Sequence, residues 1–160
     1  MIRPTQPDET AYLKEMARGT NVFKPIEIEA LQEVLDDYHK GNIHANHHAI
    51  TYERHGKAIG FAYYAPTPMT DRTWHLYWIF VDKTTQAKGV GAKLLKYAEE
   101  HIAQLGGRMF IIETSSLPVY ELTRKFYLKY HYAQACIVPD FYADGDGMVV
   151  FQKRLAAANE

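Results

Sequence analysis

The spacing of apolar residues predicts two helices ahead of the first strand. Residues 8–18 carry Tyr12, Leu13 and Met16 on one side, and Gly19 marks the end of that helix. Residues 27–39 repeat apolar side chains every three or four positions before Gly41: Ile28, Leu31, Val34, Leu35 and Tyr38. Such stripes are typical of helices that cover one face of a sheet.

The middle of the chain reads as strands. Residues 48–54 and 57–65 flank His55-Gly56, a two-residue turn typical of a hairpin, and the apolar segment 73–81 predicts a central strand. A helix follows with a buried stripe at Val90, Leu94, Ala98, Ile102 and Leu105, and then a strand over 109–112. Strand, helix and strand in this order predict a parallel pair joined by a right-handed crossover.

The last third predicts one more helix and two closing strands. Ser115 or Ser116 can cap the helix, Pro118 suits its first turn, and it ends near His131. Its predicted buried face carries Val119, Leu122, Phe126 and Tyr130, and the strands cover 132–138 and 148–153. The prediction is one α/β (α+β) domain over residues 1–155 with a tail at 156–160. Its mixed, mostly antiparallel sheet has six to seven strands and helices on both faces.

Composition narrows the function classes. The chain has 160 residues, of which 47% are hydrophobic and 23% charged, and its net charge of −1 offers no general attraction for nucleic acid. No segment has the length of a membrane span or the apolar core of a signal peptide, so we expect a cytoplasmic protein without a membrane partner. The single cysteine, Cys136, excludes an internal disulfide, and we expect it to be a small buried apolar residue.

The segment between the central strand and the following helix has the composition of an anion-binding loop. It reads Gln86-Ala87-Lys88-Gly89-Val90-Gly91, and such a loop directs backbone N–H groups and the positive helix end at one anion. A nucleotide P-loop would require Lys-Ser/Thr after the second glycine, where Ala92 stands. A dinucleotide site would require a tight turn and a third glycine, whereas Leu94 stands there, and a plain glycine turn is the third reading.

Two motifs resemble the GNAT superfamily of N-acetyltransferases. Residues 79–82 with the segment 86–92 look like its acetyl-CoA motif, Gln/Arg-x-x-Gly-x-Gly/Ala. Residues 123–132 are similar to the later family helix, which usually reads Phe-Tyr-x-x-x-Gly-Phe/Tyr. The resemblance covers about residues 48–155. Two departures are His131 in place of glycine and Tyr120 in place of a cofactor-contacting asparagine. The contact of that asparagine is then either lost or supplied by Ser115 or Ser116.

The resemblance implies a site and a reaction. The coenzyme diphosphate would be held by the loop residues Gln86, Ala87, Lys88, Gly89, Val90, Gly91 and Ala92. The pantetheine amides would pair with the main chain of Ile79, Phe80 and Val81, and Tyr127 would protonate the departing thiolate. The implied activity is direct transfer of an acetyl group from acetyl-CoA to a primary amine of a small molecule or peptide. A non-catalytic acyl-CoA-binding regulatory module is the alternative, and hydroxyl acceptors stay open.

The general base and the acceptor stay undecided in the sequence. Glu53, His75, Tyr77, Glu113, Asp140 or a water molecule can take the proton, since an alkyl ammonium has a pKa of about 10.4. The resemblance implies an acceptor cleft at residues 21–25 and 140–147. Five aromatic residues would form either its wall or sheet packing: Tyr63, Tyr64, Tyr77, Phe141 and Tyr142. The spacing of His44, His47 and His48 does not match a metal site, so we expect no metal. A homodimer is compatible with the resemblance.

Overall fold

The computed structural model describes residues 1–85 and 88–156. Its four helices are α1 Thr10–Gly19, α2 Pro25–Lys40, α3 Val90–Gln104 and α4 Glu121–Lys129. The strands are β1 Ile2–Pro4, β2 His48–Arg54, β3 Lys57–Pro66, β4 Thr73–Val81, β5 Met109–Ser115, β6 Ala133–Ala143 and β7 Asp146–Arg154. Short 3₁₀ turns cover Pro7–Glu9, Asn42–Ala45, Lys83–Thr85 and Pro118–Tyr120.

The strands form one seven-stranded sheet in the order β1-β2-β3-β4-β5-β7-β6. The pair β4–β5 is parallel, with Thr73 opposite Met109 and Leu76 opposite Ile112. The pairs β1–β2, β2–β3, β5–β7 and β6–β7 are antiparallel. The predicted fold class, a mixed and mostly antiparallel sheet with one parallel strand–helix–strand unit, is therefore confirmed.

The chain forms two compact units. The first comprises residues 1–66 and 77–98, and the second comprises residues 67–76 and those from 99 onward. The dividing points lie inside β4 and α3, so each of these elements contributes residues to both units. The single domain over residues 1–155 stays a prediction.

The core of the first unit confirms the predicted helix stripes except at Tyr12, which is exposed. Its buried members on α1 and α2 are Leu13, Met16, Ala17, Ile28, Leu31, Leu35 and Tyr38. They join side chains of the sheet, among them Phe61, Tyr63 and Phe80. Because burial of each large apolar side chain contributes roughly 1.5–3 kcal/mol, this cluster accounts for much of the favourable free energy of folding of the unit.

In the second unit the predicted buried face of the last helix is partly wrong. Val119 and Leu122 are exposed, whereas Tyr127 is the buried residue of α4. The segment 118–120 forms a 3₁₀ turn with three residues per turn, and α4 begins only at Glu121. The change of period rotates the apolar positions away from the face that a continuous helix would bury.

The final hairpin also corrects the sequence interpretation. Strand β6 extends to Ala143 rather than ending at residue 138, and it passes through Pro139 and through Asp140 with φ of +57°. Proline is tolerated because β6 lies at the sheet edge, and the register with β7 is irregular between Val138 and Ala143. Every residue of β6 is exposed, so the prediction that Cys136 is buried is wrong.

The link between α3 and β5 depends on a missing side chain. A Cβ added at Gly107 would run into the side chain of Ile102, and it would lie 3.0 Å from the Ile102 carbonyl oxygen and 3.0 Å from Cδ1 of Trp74. Gly107 also donates its N–H to that carbonyl at 2.8 Å. The backbone therefore cannot move aside without loss of this bond.

We predict that Gly107→Ala lowers the free energy of unfolding by about 1–3 kcal/mol through overpacking. Gly19→Ala is the matched control, because a Cβ there meets nothing within 4 Å and Gly19 is the last residue of α1. Urea titration of both variants tests this. Equal stability of the two variants would contradict the packing analysis.

Candidate active site

The predicted anion site lies at the start of α3. Gly89 has φ of +79°, a Cβ there would meet nothing within 4 Å, and its carbonyl accepts from the Lys93 N–H at 3.0 Å. Gly89 is thus the residue before the first helical turn, which contains Val90, Gly91 and Ala92. The N–H groups of a first turn have no acceptor inside the helix. Of the predicted coenzyme residues, Gln86 and Ala87 lie outside the described residues.

A close approach to β3 fixes where α3 begins. A Cβ on Gly60 would lie 2.8 Å from Cγ1 of Val90 and 3.0 Å from Cδ1 of Leu94, and both of these side chains are fully buried. The absence of a side chain at Gly60 therefore lets the first two turns of α3 rest on the strand. This packing sets the position of the N–H groups at the helix start.

The segment that leads out of β4 is organised by Asp82. Its N–H donates to the Ile59 carbonyl at 2.9 Å, which ties it to β3. Its carboxylate accepts from both the N–H and the hydroxyl of Thr84, each at 2.8 Å. This turn and the 3₁₀ residues Lys83–Thr85 belong to the connection between β4 and Gly89. That connection is longer than the tight turn of a dinucleotide site.

Ring contacts show an extra residue within β4. Phe61 and Tyr63 are two positions apart on β3 and share a face. The Phe80 ring lies 5.2 Å from that of Phe61 and the Tyr77 ring lies 6.2 Å from that of Tyr63, although Tyr77 and Phe80 are three positions apart. An antiparallel strand can satisfy both contacts only with a β-bulge between Tyr77 and Phe80. A bulge in this stretch disturbs the regular ladder at the start of Ile79–Val81.

Cations surround the helix start. Lys93 lies over the Tyr52 ring, with Nζ 5.8 Å from its centroid. Burial is the largest single influence on the Tyr52 hydroxyl and raises its pKa, but the hydrogen bonds and charges of Lys93 and Arg54 together outweigh burial and lower the pKa. Both interactions show that positive charge collects beside the first turns of α3, which favours an anionic ligand.

Tyr127, the predicted proton donor, lies in the second unit. Its side chain is 3% exposed, and its ring contacts Phe126, Tyr132 and Phe151 at centroid distances of 5.5, 6.0 and 5.5 Å. Burial, and to a smaller extent the nearby Tyr120, raise the pKa of its hydroxyl well above the ordinary value. A hydroxyl of this kind keeps its proton at neutral pH and can donate it.

Ser115 and Ser116 are bound within the protein. The buried Ser115 hydroxyl donates to Oδ1 of Asp146 at 2.5 Å and accepts from the Leu117 N–H at 3.0 Å. The Ser116 hydroxyl accepts from the Gly147 N–H at 2.8 Å. These bonds join the end of β5 to β7, so both serines have a structural role.

Two of the predicted base candidates, Glu53 and Asp140, form contacts that stabilise the fold. Glu53 accepts from Nε of Arg3 at 2.6 Å, and Arg3 also binds Glu9 at 2.7 Å. Asp140 accepts from the Gly145 N–H at 2.7 Å and closes the turn between β6 and β7. Each carboxylate stabilises a chain segment.

His75 and Glu113 lie together. Nε2 of His75 is 3.1 Å from Oε1 of Glu113, and Nδ1 of His75 is 2.6 Å from the Thr67 hydroxyl. The side chain of His75 is 18% exposed and that of Glu113 is 41% exposed. The structure therefore unites two of the predicted base candidates in one hydrogen-bonded chain.

The three neighbouring histidines have separate surroundings. Nδ1 of His47 lies 2.6 Å from the Tyr63 hydroxyl, and burial lowers the pKa of its ring. Nε2 of His48 lies 3.0 Å from the Asn46 side chain. Within residues 1–85 and 88–156, no three His, Cys, Asp or Glu side chains are grouped as metal ligands would be. Over the same ranges, no helix has the length and apolar character that crossing a bilayer requires.

The predicted aromatic wall divides into separate groups. Tyr77, which is half exposed, contacts Tyr63, and Tyr63 in turn contacts Tyr38 and His47 at 5.9 and 5.7 Å. Tyr64 is fully buried and stacks on His48 at 5.3 Å. Phe141 and Tyr142 contact each other at 5.0 Å on the exposed β6. Tyr64 is therefore core packing, whereas Tyr77 offers an accessible ring.

A family model named the acetyltransferase (GNAT) family matches residues 13–132. The chain belongs to the GNAT family. The match includes the start of α3, the paired His75 and Glu113, and Tyr127. No curated protein matches the chain in sequence.

Solved GNAT structures share the fold. A protein from Desulfovibrio desulfuricans, described as an acetyltransferase of the GNAT family, is 28% identical with a TM-score of 0.92, over 98% of this chain and 99% of that one. An aminoglycoside 6′-N-acetyltransferase in complex with coenzyme A is 16% identical with a TM-score of 0.76, over 98% and 97%. A ribosomal-protein-alanine N-acetyltransferase from Brucella melitensis is 15% identical with a TM-score of 0.79, over 97% and 99%.

Three features of the site escaped the sequence analysis. Thr67 sits beyond the predicted end of its strand, and no local pattern links it to His75. The bulge in β4 lies inside a continuous apolar run, where alternation gives no sign of it. Gly60 offered a signal, because a glycine inside a strand often marks a close backbone approach.

We predict that Glu53→Gln leaves turnover unchanged and destabilises the protein. The loss of the charge leaves Arg3 with Glu9 as its carboxylate partner, so we expect a loss of about 0.5–1 kcal/mol for this partly exposed pair. Thermal melts and acetyl transfer assays check the two parts separately. A large fall in turnover at unchanged stability would return Glu53 to the list of bases.

Proposed function

We propose that this protein transfers an acetyl group from acetyl-CoA to a primary amine by direct attack. The observation that carries the proposal is the start of α3, where Gly89 adopts positive φ next to open space and the first-turn N–H groups follow. Membership of the GNAT family supports the acyl donor. The coenzyme A complex of a protein with the same fold supports the coenzyme.

The donor would be held by main-chain groups. The N–H groups of Val90, Gly91 and Ala92 would bind the diphosphate, together with the segment from Gln86 to Gly89. The main chain of Ile79, Phe80 and Val81, beyond the bulge, would pair with the pantetheine amides as an added strand does. An N–H group released from the ladder by the bulge would polarise the acetyl carbonyl as negative charge develops on its oxygen.

Tyr127 would serve as the general acid. The departing thiolate needs a proton, and a protonated tyrosine hydroxyl can supply it within hydrogen-bond reach. Burial raises the pKa of Tyr127, so the hydroxyl is a weaker acid than an ordinary tyrosine, and it can give its proton only to a strong base such as a thiolate formed within hydrogen-bond distance. Its motif position, in the second unit, supports this role.

The acceptor class is the open part of the proposal. Proteins with the same fold include an aminoglycoside 6′-N-acetyltransferase and a ribosomal-protein-alanine N-acetyltransferase. A panel of kanamycin, spermidine and a peptide with N-terminal alanine samples these chemistries. Release of free thiol from acetyl-CoA that requires one of these amines supports the enzyme. Tight coenzyme A binding without amine-dependent release across the panel would instead support a regulatory acyl-CoA-binding module.

We predict that Gly89→Ala weakens coenzyme A binding about tenfold, which corresponds to about 1.4 kcal/mol. A Cβ at φ of +79° strains the backbone at the point where the anion would bind. Gly56→Ala is the matched control, since Gly56 has φ of +74° and equally open surroundings in the β2–β3 turn. Calorimetric titration should show normal affinity for this control. Unaltered affinity in both variants would refute the diphosphate site.

We predict that Tyr127→Phe lowers kcat by about 10²-fold or more and leaves the affinity for coenzyme A unchanged. The phenyl ring preserves the contacts with Phe126, Tyr132 and Phe151 but has no proton to give. Tyr130→Phe, at the C-terminal end of the same helix, is the control and should keep full turnover. Full turnover in Tyr127→Phe would remove this residue from the reaction.

A further inference from the structure

Three side chains from separate elements form a continuous hydrogen-bonded chain. Thr67 follows β3, His75 lies on β4 and Glu113 lies on β5. The Thr67 hydroxyl is 2.6 Å from Nδ1 of His75, and Nε2 of His75 is 3.1 Å from Oε1 of Glu113. Both ring nitrogens are therefore fixed, and the imidazole cannot rotate without losing both bonds.

The register of the parallel strands explains why these side chains meet. His75 lies opposite Ile111, and Glu113 is two residues beyond Ile111 on the same face of β5. The last pair of the parallel register is Leu76 with Ile112, so Glu113 is the first residue of β5 after this register. Its carboxylate thus stands at the end of the parallel ladder.

The direction of the hydrogen bonds follows from the acceptor chemistry. An ionised carboxylate only accepts, so Nε2 of His75 must donate to Glu113. In the neutral imidazole the other nitrogen, Nδ1, has a lone pair and accepts the hydroxyl proton of Thr67. The chain therefore runs from Thr67 through His75 to Glu113, with the half-exposed carboxylate as its solvent end.

Several other acidic side chains bind different parts of the protein. Glu53 binds Arg3, Asp140 closes a turn, and Asp146 binds Ser115 inside the protein. Glu99 accepts from Lys153 at 2.9 Å and from the Tyr132 hydroxyl at 3.0 Å. Glu113 differs because the partner that orients it is a histidine ring nitrogen, and not an arginine or lysine.

We propose that Glu113 is the general base of the acetyl transfer and that His75, anchored by Thr67, is its positioning residue. This inference rests on the proposed function. His75 donates to one carboxylate oxygen and thereby fixes the orientation of the carboxylate. Without His75 the carboxylate rotates freely, and proton transfer loses the alignment that it requires.

The proton balance requires a base for the incoming ammonium and an acid for the departing thiolate. The acceptor arrives as an ammonium with three protons, and the product amide keeps one. Glu113 takes the first proton as an N–H bond breaks, which frees the lone pair to attack the acetyl carbon, and later releases it to water. As the C–S bond breaks, Tyr127 gives its proton to the sulfur. The second nitrogen proton then restores the Tyr127 hydroxyl.

Kinetics across pH separate a base from a structural residue. With the best amine of the panel, Glu113→Gln should reduce kcat at pH 7 by about 10²-fold or more. The deficit should shrink as pH rises toward the amine pKa of about 10.4, because the solvent then removes the proton. Tyr127→Phe is the contrast, since loss of an acid is not relieved by higher pH. A deficit in Glu113→Gln that stays constant with pH, or no deficit, would overturn the assignment.

The role of His75 has its own test. His75→Ala should reduce kcat with the same relief at high pH, and His75→Gln should recover part of the loss because its amide N–H can donate to Glu113. Coenzyme A affinity should stay unchanged in both, which shows that the fold is intact. Equal losses in His75→Ala and His75→Gln, or losses that do not vary with pH, would contradict the positioning role.

A measurement independent of turnover keeps this inference distinct from the proposed function. Nitrogen NMR of the neutral His75 ring in the wild-type protein should show Nε2 protonated and Nδ1 unprotonated. Thr67→Val and Glu113→Ala should each disturb the nitrogen that loses its partner. A ring protonated at Nδ1 alone would overturn the hydrogen-bonded chain, even if the protein acetylates amines. If no amine is acetylated but the His75 ring shows the expected protonation, the result counts against the proposed reaction and not against the hydrogen-bonded chain.

Discussion

The packing of α3 against β3 is the contact on which the candidate coenzyme site depends. Gly60 has no side chain, so Val90 and Leu94 reach the strand and become fully buried. A helix held this closely cannot slide or tilt at its start, and its first-turn N–H groups keep a fixed direction. Gly89 then completes the arrangement, because its positive φ brings the chain into the helix with open space at its Cα. Gly60 thus sets the position of the helix start, and Gly89 leaves space beside it for a ligand.

The role of each carboxylate in this protein depends on the side chain that it contacts. Glu9 is partly buried, which by itself would raise its pKa, but Arg3 and the surrounding hydrogen bonds outweigh burial and lower it. Such a group stabilises the fold above its unfolded pKa, and that contribution is lost as the pH falls through the folded value. Glu113 has a histidine as its partner instead of an arginine, and its side chain is far more exposed. The same chemical group thus serves as a structural tie in one place and as a candidate base in another.

The sequence predicted the elements that have strong periodicity. The stripe of α2, the hairpin at His55-Gly56 and the parallel pair appear where the pattern placed them. The stripe of α3 is buried as far as Ile102, whereas Leu105 lies beyond the helix and is exposed. It missed β1, whose three residues are too few to show a period, and it placed Val119 and Leu122 on the wrong face because a 3₁₀ turn interrupts the helix. Glu53, His75 and Glu113 were equivalent as base candidates in the sequence. Only strand register brings His75 to Glu113 and leaves Glu53 with Arg3, and register depends on contacts far apart in the chain.

The central claim is that main-chain groups at the start of α3 bind the diphosphate of coenzyme A. A crystal structure of the complex with coenzyme A tests it most directly. The account predicts diphosphate oxygens within hydrogen-bond distance of the N–H groups of Val90, Gly91 or Ala92, with the pantetheine along Ile79–Val81. A diphosphate bound at another place, with the first turn of α3 in contact only with solvent or protein, would contradict it.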